Sequence, residues 1–381
     1  MSGKLSRRDL VTTACAGAAS ALLLPRTAGS VSWPAIGAVI NADDLPAREA
    51  SWYKKLPESR VECQLCPRGC QVAEAERGGC GVRENRGGTY YTLVHGAACS
   101  VHLDPIEKKP FFHVLPGKQA LSYATAGCNV ECKFCQNWEI SQFRPEQVQS
   151  QYLPPETLAE VAKRNGVPLL SATYSEPVVF WEYVRDTAIA GRRLGIRSTV
   201  VSNGYAQEQA LKDVLPLLTA MKVDLKAFTE RFYRELVRGE LKPVLKALEI
   251  IKASGTWLEI VVLLIPGQND SEEEIRDLSR WVKANLGAEV PVHLTRFHPT
   301  YRLTNLPPTP IPTLERAWQV AKAEGLAFAY LGNVPGHPGE NTVCPGCGKQ
   351  LLHRVGFQVL DNALVGGKCP QCKRSIPGVW S

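Results

Sequence analysis

Three cysteines stand close together in the segment 127–138 and could do redox chemistry. Thiolates in this C-x3-C-x2-C spacing can bind three irons of a [4Fe–4S] cluster and leave the fourth iron without a protein ligand. An open coordination position is typical of catalytic rather than structural metal sites. We therefore predict a catalytic iron–sulfur site on this cysteine trio, Cys128, Cys132 and Cys135. The alternative is a structural metal knuckle that takes its fourth ligand from a distant part of the chain.

The same segment resembles the signature motif of the radical S-adenosylmethionine (SAM) enzymes, and the aromatic Phe134 before the last cysteine adds to the resemblance. In such enzymes the open iron chelates the amino and carboxylate groups of SAM. The resemblance implies that an external one-electron reductant of the flavodoxin or ferredoxin type reduces the [4Fe–4S] cluster. It also implies that SAM is cleaved reductively to a 5′-deoxyadenosyl radical, which abstracts hydrogen from a substrate.

Length and composition are those of a globular protein. The chain has 381 residues, of which 44% are hydrophobic and 21% are charged, so it can form one large domain with appendages or two domains. The formal net charge of +7 is small for this length, and no long run of lysine and arginine is interleaved with aromatic residues. Binding to nucleic acid is therefore not predicted. No segment is apolar enough to predict a transmembrane helix.

The first 30 residues have the features of an export signal. Arg7 and Arg8 precede a weakly apolar run at 11–24, which Pro25 ends. Paired arginines before such a run are typical of a twin-arginine leader, which directs the export of folded proteins. The alternative is a disordered basic terminus. An exported enzyme would need SAM outside the cytoplasm, so the leader favours export while the SAM chemistry favours the cytoplasm.

Eight of the thirteen cysteines form two further groups. Each group places Pro or Gly turns between closely spaced thiols, as tetrahedral metal sites require. For the N-terminal quartet, zinc is favoured over an additional iron–sulfur cluster, and disulfides become a third alternative if the protein is exported. The C-terminal quartet resembles a zinc ribbon or a rubredoxin-like module. The N-terminal quartet is Cys63, Cys66, Cys70 and Cys80, and the C-terminal quartet is Cys344, Cys347, Cys369 and Cys372.

From residue 121 onward, apolar strand-like runs alternate with amphipathic helical patterns. Strands are predicted at 121–125, 169–173, 197–202, 222–226, 258–265 and 290–297. Helices are predicted at 155–164, 178–194, 207–218, 229–254, 271–285 and 312–324, and an apolar run at 327–334 completes the pattern. This alternation predicts an α/β fold with a parallel sheet curled into part or all of a (β/α) barrel. In such folds the chemistry lies on loops after the strands, which is where the cysteine trio stands.

Polar residues at the predicted strand ends are candidate contacts for SAM. Glu176 follows the second strand, and its carboxylate could accept hydrogen bonds from the methionine ammonium group. Ser202 and Asn203 end the third strand and suit contacts with ribose or carboxylate, although Asn-Gly is also a common turn pair. Asp224 and Lys226 alternate on the fourth strand, so both face one side. A buried ion pair near the cofactor is favoured over an exposed pair.

Loops after the fifth and sixth strands supply further candidates. Gly267 would let the backbone approach a ligand closely. Arg296, His298 and Tyr301 follow the sixth strand and are candidates for substrate contact, although a single histidine is more often a structural residue than a proton shuttle.

Five strings extend the resemblance over about residues 60–381. They are DPIEKKP at 104–110, CQNW at 135–138, RFHP at 296–299, GNVPG at 332–336 and NTVCP at 341–345. They resemble those of the radical SAM enzymes of the AmmeMemoRadiSam system, a family related to the pyruvate formate-lyase activating enzymes. The resemblance implies a cluster on the cysteine trio, a Glu176 that grips the methionine amine, and a genomic association with Memo-like partner proteins.

The predicted organisation is a leader at 1–30, a linker at 31–60, an N-terminal four-cysteine module at 61–115, the barrel at 116–335 and a C-terminal metal module at 340–381. The predicted function is that of a radical SAM enzyme with an unidentified substrate, for which a protein or peptide is favoured. The alternatives are an activase of glycyl-radical enzymes and a non-catalytic protein that carries several clusters. Metal content separates these, because the enzyme requires about four irons and up to two zincs, whereas a carrier requires iron in every site.

Overall fold

Eight strands form the central sheet of the protein. The computed structural model describes residues 37–381, so the predicted leader at 1–30 and residues 31–36 of the predicted linker lie outside the described residues. Seven of the strands run parallel, and the edge strand β1 is antiparallel to its neighbour. In chain order they are β1 (Ser100–Pro105), β2 (Gln119–Ala124), β3 (Leu169–Ala172), β4 (Arg197–Ser202), β5 (Ala220–Asp224), β6 (Trp257–Leu264), β7 (Val292–Arg296) and β8 (Ala329–Gly332).

The strands follow one another across the sheet in chain order, from β1 at one edge to β8 at the other. Within the described residues, these two edge strands do not pair with each other, so the sheet stays open. The α/β class predicted from the alternating pattern is confirmed, in the partial form of the barrel. The parallel strands β3 and β5 are buried along almost their whole length, as expected for a sheet covered on both faces.

Helices connect the parallel strands, because a parallel pair needs a crossover connection. They bury one apolar stripe each. In α5, for example, Ile275, Leu278 and Val282 are buried at helical spacing, and Ser271 caps the helix by accepting a 3.2 Å hydrogen bond from the backbone N–H of Glu274. The longer helices are α1 (Pro155–Arg164), α2 (Trp181–Arg193), α3 (Glu208–Val214), α4 (Leu241–Ala253), α5 (Glu272–Asn285) and α6 (Ile311–Ala323).

The predicted helix at 229–254 is wrong as one continuous element. Glu230–Phe232 forms one α-helical turn, Tyr233–Val237 forms a π-helical segment, and α4 begins only at Leu241. Between them, Arg238 has a φ of +62°. A left-handed residue cannot continue a right-handed helix, so the chain must break there. The apolar periodicity continues across the break, which is why the pattern alone predicts a single helix.

One strand prediction also needs correction, and one strand of the central sheet was not predicted. The strand predicted at 222–226 begins and ends two residues earlier, so Asp224 is its last residue and Lys226 lies in the loop that follows. The sequence analysis does not predict β1, although its polar and apolar residues alternate as in a strand, because the run is short and ends in a proline. This strand pairs antiparallel with β2, with Leu103 opposite Leu121.

Short elements complete the described chain. Three small sheets of three strands each accompany the central sheet. The first consists of Val39–Ile40, Ala97–Ala98 and Ser150–Tyr152, and the second of Arg48–Glu49, Arg83–Arg86 and Thr89–Thr92. The third consists of Tyr53–Lys55, Val61–Cys63 and Gln71–Val72. The C-terminal sheet consists of Thr342–Val343, Gln350–Val355 and Gln358–Asn362. Short helical segments are Ile106–Lys108, Trp138–Ser141, Pro145–Gln147, Pro177–Phe180, Leu215–Leu217 and Pro338–Glu340. None of the helices described has the length and apolar character needed to cross a membrane.

A buried polar cluster joins the C-terminal sheet to the central sheet. The carboxylate of Glu259 in β6 accepts backbone hydrogen bonds of 2.9 Å from Phe112 and from His113, and it lies 2.7 Å from Nε2 of His293. Arg354 of the C-terminal sheet donates a 2.8 Å hydrogen bond to the carbonyl of Phe112. Since buried polar groups need partners, this cluster fixes the position of the C-terminal sheet against the strands.

Candidate active site

A cavity of about 400 Å³ lies where the central strands end and their loops begin. Nine separate parts of the chain contribute to it, including the loops after β2, β3, β4 and β5. Every residue predicted from the sequence to hold the cluster or SAM lines this one cavity. These residues are Cys128, Cys132, Phe134, Cys135, Glu176, Ser202, Asn203, Asp224 and Lys226.

The cysteine trio lies on the loop between β2 and the short helix Trp138–Ser141. The backbone N–H of Cys135 donates to the carbonyl of Cys132 at 3.2 Å, and the backbone N–H of Val130 points at Sγ of Cys128 at 3.5 Å. Among the described residues that line the cavity, no fourth cysteine and no histidine is present. Three thiols without a fourth soft ligand fit a cluster with one open iron. Burial raises the pKa of the Cys132 thiol to about 12 and so disfavours the thiolate. A bound metal ion would supply the positive charge that stabilises the thiolate.

Glu176 is the buried carboxylate of the site. Its Oε1 accepts hydrogen bonds from the hydroxyl of Ser202 at 2.6 Å and from the backbone N–H of Val178 at 3.0 Å, and its Oε2 accepts from the backbone N–H of Asn203 at 2.8 Å. Burial raises its pKa to about 7 even though these three donors favour the charged form. The donors fix the direction of the carboxylate toward the cavity that also contains the trio.

Asn203 connects this carboxylate to the cysteine loop. Its side-chain Nδ2 donates to Oδ1 of Asn129 at 2.8 Å and lies 3.9 Å from Sγ of Cys128. Its Oδ1 accepts from the backbone N–H of Tyr205 at 2.8 Å. Ser202 and Asn203 therefore both have partners within the protein, and their shared effect is to position Glu176 and the first cysteine.

Asp224 forms the expected ion pair with Lys226 and a second one with Lys222, which sequence reasoning did not identify. Nζ of Lys226 lies 2.9 Å from Oδ2 of Asp224, and Nζ of Lys222 contacts Oδ1. Burial disfavours a charged carboxylate, but the two ammonium groups hold the pKa of Asp224 well below its usual range. Lys222 precedes Asp224 by two positions on β5, so the strand period of two places both side chains on the cavity face.

Lys108, Lys109 and Tyr174 form another wall of the cavity, and all three contact a buried carboxylate behind it. Asp104 in β1 pairs with Lys108 at 2.8 Å and with Lys109 at 2.5 Å, and it accepts a hydrogen bond from the hydroxyl of Tyr174. Burial lowers the pKa of Lys109 to about 8 although Asp104 favours its charged form. Tyr174 has a φ of +67°, a left-handed backbone that is costly for a bulky residue and is often found at functional sites.

The later loops do not contribute as expected. Gly267, Arg296, His298 and Tyr301 are not among the residues that line the cavity. Arg296 instead donates a 2.9 Å hydrogen bond to the carbonyl of Thr309, and the ring of Tyr301 stacks on Trp138 with their centroids 5.2 Å apart. From this side of the protein, Asn333 and Phe357 line the cavity. Phe357 belongs to the turn between the two long strands of the C-terminal sheet, which no local signal connects with the site.

The thiols of the C-terminal quartet have the spacing that one tetrahedral ion requires. All four sulfurs lie within 4.8 Å of one another, and the pairs Cys344–Cys372 and Cys347–Cys369 are 3.5 and 3.7 Å apart. Four thiolates around one zinc ion would be about 3.8 Å apart, given the usual Zn–S distance. The twelve cysteines in the described part of the chain form no disulfide in this structure.

Comparison with known proteins identifies the family. Residues 122–279 match the family model of the radical SAM superfamily. An uncharacterized protein of Methanocaldococcus jannaschii is 43% identical over 331 residues, which cover 86% of this chain and 98% of that protein. The chain belongs to the radical SAM superfamily. Members of this superfamily are enzymes that use a [4Fe–4S] cluster and SAM, so the chain is an enzyme and the non-catalytic alternative is set aside.

Two more distant similarities concern other enzymes. The benzylsuccinate synthase activating enzyme of Thauera aromatica is 22% identical over 204 residues, which cover 50% of this chain and 62% of that enzyme. Among solved structures, a radical SAM methyltransferase from Sphaerobacter thermophilus is 14% identical with a TM-score of 0.47, and the match covers 78% of this chain and 81% of that chain.

Proposed function

We propose that this radical SAM enzyme acts on a protein or peptide substrate. The site assignment rests on one observation: the cysteine trio and Glu176 line the same cavity. Glu176 is buried, and its carboxylate accepts three hydrogen bonds from the protein. The protein substrate is supported by the similarity to the benzylsuccinate synthase activating enzyme, whose name describes action on another enzyme. Under this proposal the chain is similar to an activating enzyme in its reaction.

In this proposal the cysteine trio holds the [4Fe–4S] cluster and leaves one iron for SAM. When bound, the cluster supplies the electron that cleaves SAM reductively. Glu176 accepts hydrogen bonds from the ammonium group of the methionine part, and Ser202 and Asn203 hold Glu176 in the orientation for this contact. Phe134 lines the cavity and is buried, so it excludes water from the space beside the thiols.

The two groups of charges have different proposed roles. Asp224 and Lys226 bind polar groups of SAM, since they lie with the trio and Glu176 in the same cavity. The group of Asp104, Lys108 and Lys109 forms the wall for the substrate. That group carries one net positive charge, because one carboxylate faces two ammonium groups. It suits a substrate segment with a carboxylate or another negative group near the hydrogen that is removed.

A finer assignment is membership in the AmmeMemoRadiSam family, with a Memo-like protein as partner. It is supported by the five strings between residues 104 and 345. A glycyl-radical activase is the second candidate, which the similarity to the benzylsuccinate synthase activating enzyme favours. The two differ in product, because an activase leaves a stable radical on its protein substrate. Electron paramagnetic resonance (EPR) of the substrate after turnover distinguishes them.

The C-terminal quartet is proposed to bind zinc in a module that covers residues 340–381. The support is the compact arrangement of its four sulfurs. Zinc analysis of the variant Cys344→Ser/Cys347→Ser tests it, and the loss of one zinc per chain is expected. The other proposed divisions are the N-terminal module at 61–115 and the barrel at 116–335. The edge strand β1 belongs to the central sheet and lies within the first of these segments.

Localisation depends on residues 1–30, which are outside the described residues. The paired Arg7 and Arg8 support export by the twin-arginine route after the cluster has been inserted. The requirement for SAM supports the cytoplasm. Fractionation of cells that express the full chain, compared with the variant Arg7→Lys/Arg8→Lys, decides between them. Export requires that the wild-type protein leaves the cytoplasm and that the variant stays.

The class of substrate can be tested through the hydrogen that is removed. Cells are grown in deuterated medium, and their extract is separated into a protein fraction and a fraction of small metabolites. Each fraction is incubated anaerobically with the reconstituted enzyme, dithionite and unlabelled SAM. We expect deuterium in 5′-deoxyadenosine only with the protein fraction, and mass spectrometry of that fraction then identifies the substrate. Deuterium transfer from the small metabolites alone would contradict a protein or peptide substrate.

A further inference from the structure

The N-terminal quartet surrounds a cavity of its own that the proposed reaction does not use. All four thiols, those of Cys63, Cys66, Cys70 and Cys80, line it. Cys63 is the last residue of the strand Val61–Cys63, and its backbone N–H donates to the carbonyl of Cys70 at 2.9 Å. The backbone N–H of Gly79 points at Sγ of Cys70 at 3.4 Å. The chain therefore folds back on itself so that the four thiols face one space.

The spacing of these thiols differs from that of the C-terminal quartet. The four C-terminal sulfurs lie within 4.8 Å of one another, whereas in the part of the chain that the structure describes no three sulfurs of the N-terminal quartet do. The three sulfurs of the cysteine trio also do not all lie within 4.8 Å of one another. A single tetrahedral ion requires thiolates about 3.8 Å apart. A [4Fe–4S] cluster binds each thiolate through a different iron and so keeps them farther apart.

An unpaired hydroxyl lines the same cavity. Tyr90 is fully buried, and within the described residues its hydroxyl has no hydrogen-bond partner. A buried hydroxyl without a partner is costly, so its presence points to a bound acceptor such as a sulfide or thiolate sulfur. Arg83 also lines the cavity and is fully buried, and it donates to Glu182 at 3.0 Å. Arg83 and Glu182 form a fully buried ion pair, so together they add no net charge beside the thiols.

The N-terminal quartet lies directly against the loop of the cysteine trio. Asn129, the neighbour of Cys128, lines the quartet's cavity, and its carbonyl accepts a hydrogen bond from Arg68. On its other side, Asn129 accepts from Asn203, which lies 3.9 Å from Sγ of Cys128. Gly127 approaches the carbonyl of Cys80 so closely that a Cβ at this position would lie 3.0 Å from it. Asn129 thus contacts the cavity of the N-terminal quartet and is the sequence neighbour of the first cysteine of the trio.

We propose that the N-terminal quartet binds a second [4Fe–4S] cluster, in place of the zinc that the sequence pattern favours, and that this cluster passes electrons toward the cysteine trio. The electron step rests on the proposed function. A reduced flavodoxin or ferredoxin loses one electron and the second cluster gains it. The second cluster is then reoxidised as the electron moves to the cluster on the trio, and no bond forms or breaks.

The binding site is tested by metal analysis of the full chain after anaerobic reconstitution. The informative variant is Cys128→Ala/Cys132→Ala/Cys135→Ala, because any iron that it retains must lie outside the SAM site. We expect about eight irons per chain in the wild type and about four in this variant, with an EPR signal after reduction by dithionite. The matched control Cys344→Ser/Cys347→Ser should lose one zinc and keep about eight irons. A trio variant with no iron and two zincs per chain would overturn the proposal.

This outcome is independent of the proposed function, since the trio variant has no SAM site. If the wild type forms no 5′-deoxyadenosine but the trio variant still binds about four irons, only the proposed function fails. The electron step has a separate test in the variant Cys66→Ala/Cys70→Ala. Reduced flavodoxin should reduce its remaining cluster at least about tenfold more slowly than in the wild type, as followed by stopped-flow absorbance. An equal rate in both proteins would rule out the transfer.

Discussion

The hydroxyl of Ser202 donates a 2.6 Å hydrogen bond to Glu176, so a residue at the end of β4 fixes a carboxylate that follows β3. The backbone N–H of Asn203 adds a second bond to the same carboxylate at 2.8 Å. Hydrogen bonds to a charged acceptor are stronger than neutral ones and direct it more narrowly. The carboxylate is therefore held in place before SAM binds, and two neighbouring strand ends act as one binding element.

Replacing Glu176 by Gln should weaken SAM binding without removing the cluster. A hydrogen bond to a charged group is worth about 1.5–3 kcal/mol, so we expect the Kd for SAM to rise by about tenfold to a hundredfold. Isothermal titration of the reconstituted protein with SAM measures this. The exposed Glu139 on the short helix after the trio supplies the control Glu139→Gln, which should bind SAM as the wild type does. An unchanged Kd in a fully iron-loaded Glu176→Gln protein would contradict the role of this carboxylate.

Replacing Gly127 by Ala should disturb the contact between the trio loop and the N-terminal module. Gly127 has a φ of +99°, and a Cβ there would lie 2.4 Å from Cγ1 of Val82. Left-handed strain and overpacking together should lower the free energy of unfolding by about 2–4 kcal/mol. Chemical denaturation of the metal-loaded proteins measures the loss. The control Gly166→Ala, with a φ of +63° and no atom near the new Cβ, should cost only about 1 kcal/mol. Equal losses in the two variants would show that the contact with Val82 is unimportant.

Replacing Asp104 by Asn should destabilise the protein because it leaves the buried ammonium of Lys109 without its carboxylate. Breaking a buried ion pair in this way costs about 3–5 kcal/mol. The exposed Asp43 supplies the control Asp43→Asn, for which no change is expected. Adding Lys109→Met to Asp104→Asn should recover much of the loss, since the unpaired charge is then removed. A double variant as unstable as the single one would show that the ion pair is not the cause.

Glu107 predicts a pH dependence of stability. It is buried, its Oε1 accepts a 2.8 Å hydrogen bond from the backbone N–H of Gly117, and burial raises its pKa from 4.5 to about 7. The folded protein therefore holds this proton more tightly than the unfolded chain. The resulting stabilisation is complete below about pH 4.5 and is lost as the pH rises through about 7.

The variant Glu107→Gln separates this effect from other titrating groups. It should be more stable than the wild type by about 1–3 kcal/mol at pH 8, with a smaller difference at pH 5.5. Urea denaturation at the two pH values measures this difference. A variant that is less stable than the wild type at pH 8 would mean that the carboxylate is charged and paired in the folded protein.

Most residues of the site could be predicted because the sequence shows where each strand ends, by an apolar run that is followed by polar residues. The trio, Glu176 and the pair Ser202 and Asn203 follow apolar runs, and a parallel sheet brings all such ends to one edge. Asp224 was found for the same reason. The alternation of strands and helices also predicts the α/β class, although it predicts one helix where Arg238 breaks the chain.

What sequence reasoning missed depends on contacts between distant segments. Asp104 and Tyr174 are 70 residues apart, and Phe357 reaches the cavity from the C-terminal sheet. No local periodicity relates such positions, because the edge strand β1 and the C-terminal sheet are placed by pairing and packing rather than by their own propensity. The spacing of the thiols in the N-terminal quartet is likewise a property of the fold, and the sequence pattern alone favoured zinc there.

The central claim is that the cysteine trio and Glu176 form one site for reductive cleavage of SAM. The most direct measurement is the anaerobic incubation of the iron-loaded protein with dithionite and SAM, followed by chromatography of the products. We predict that 5′-deoxyadenosine and methionine form in equal amounts, and that the variant Cys128→Ala/Cys132→Ala/Cys135→Ala forms neither. A fully iron-loaded wild-type protein that forms no 5′-deoxyadenosine would contradict the claim.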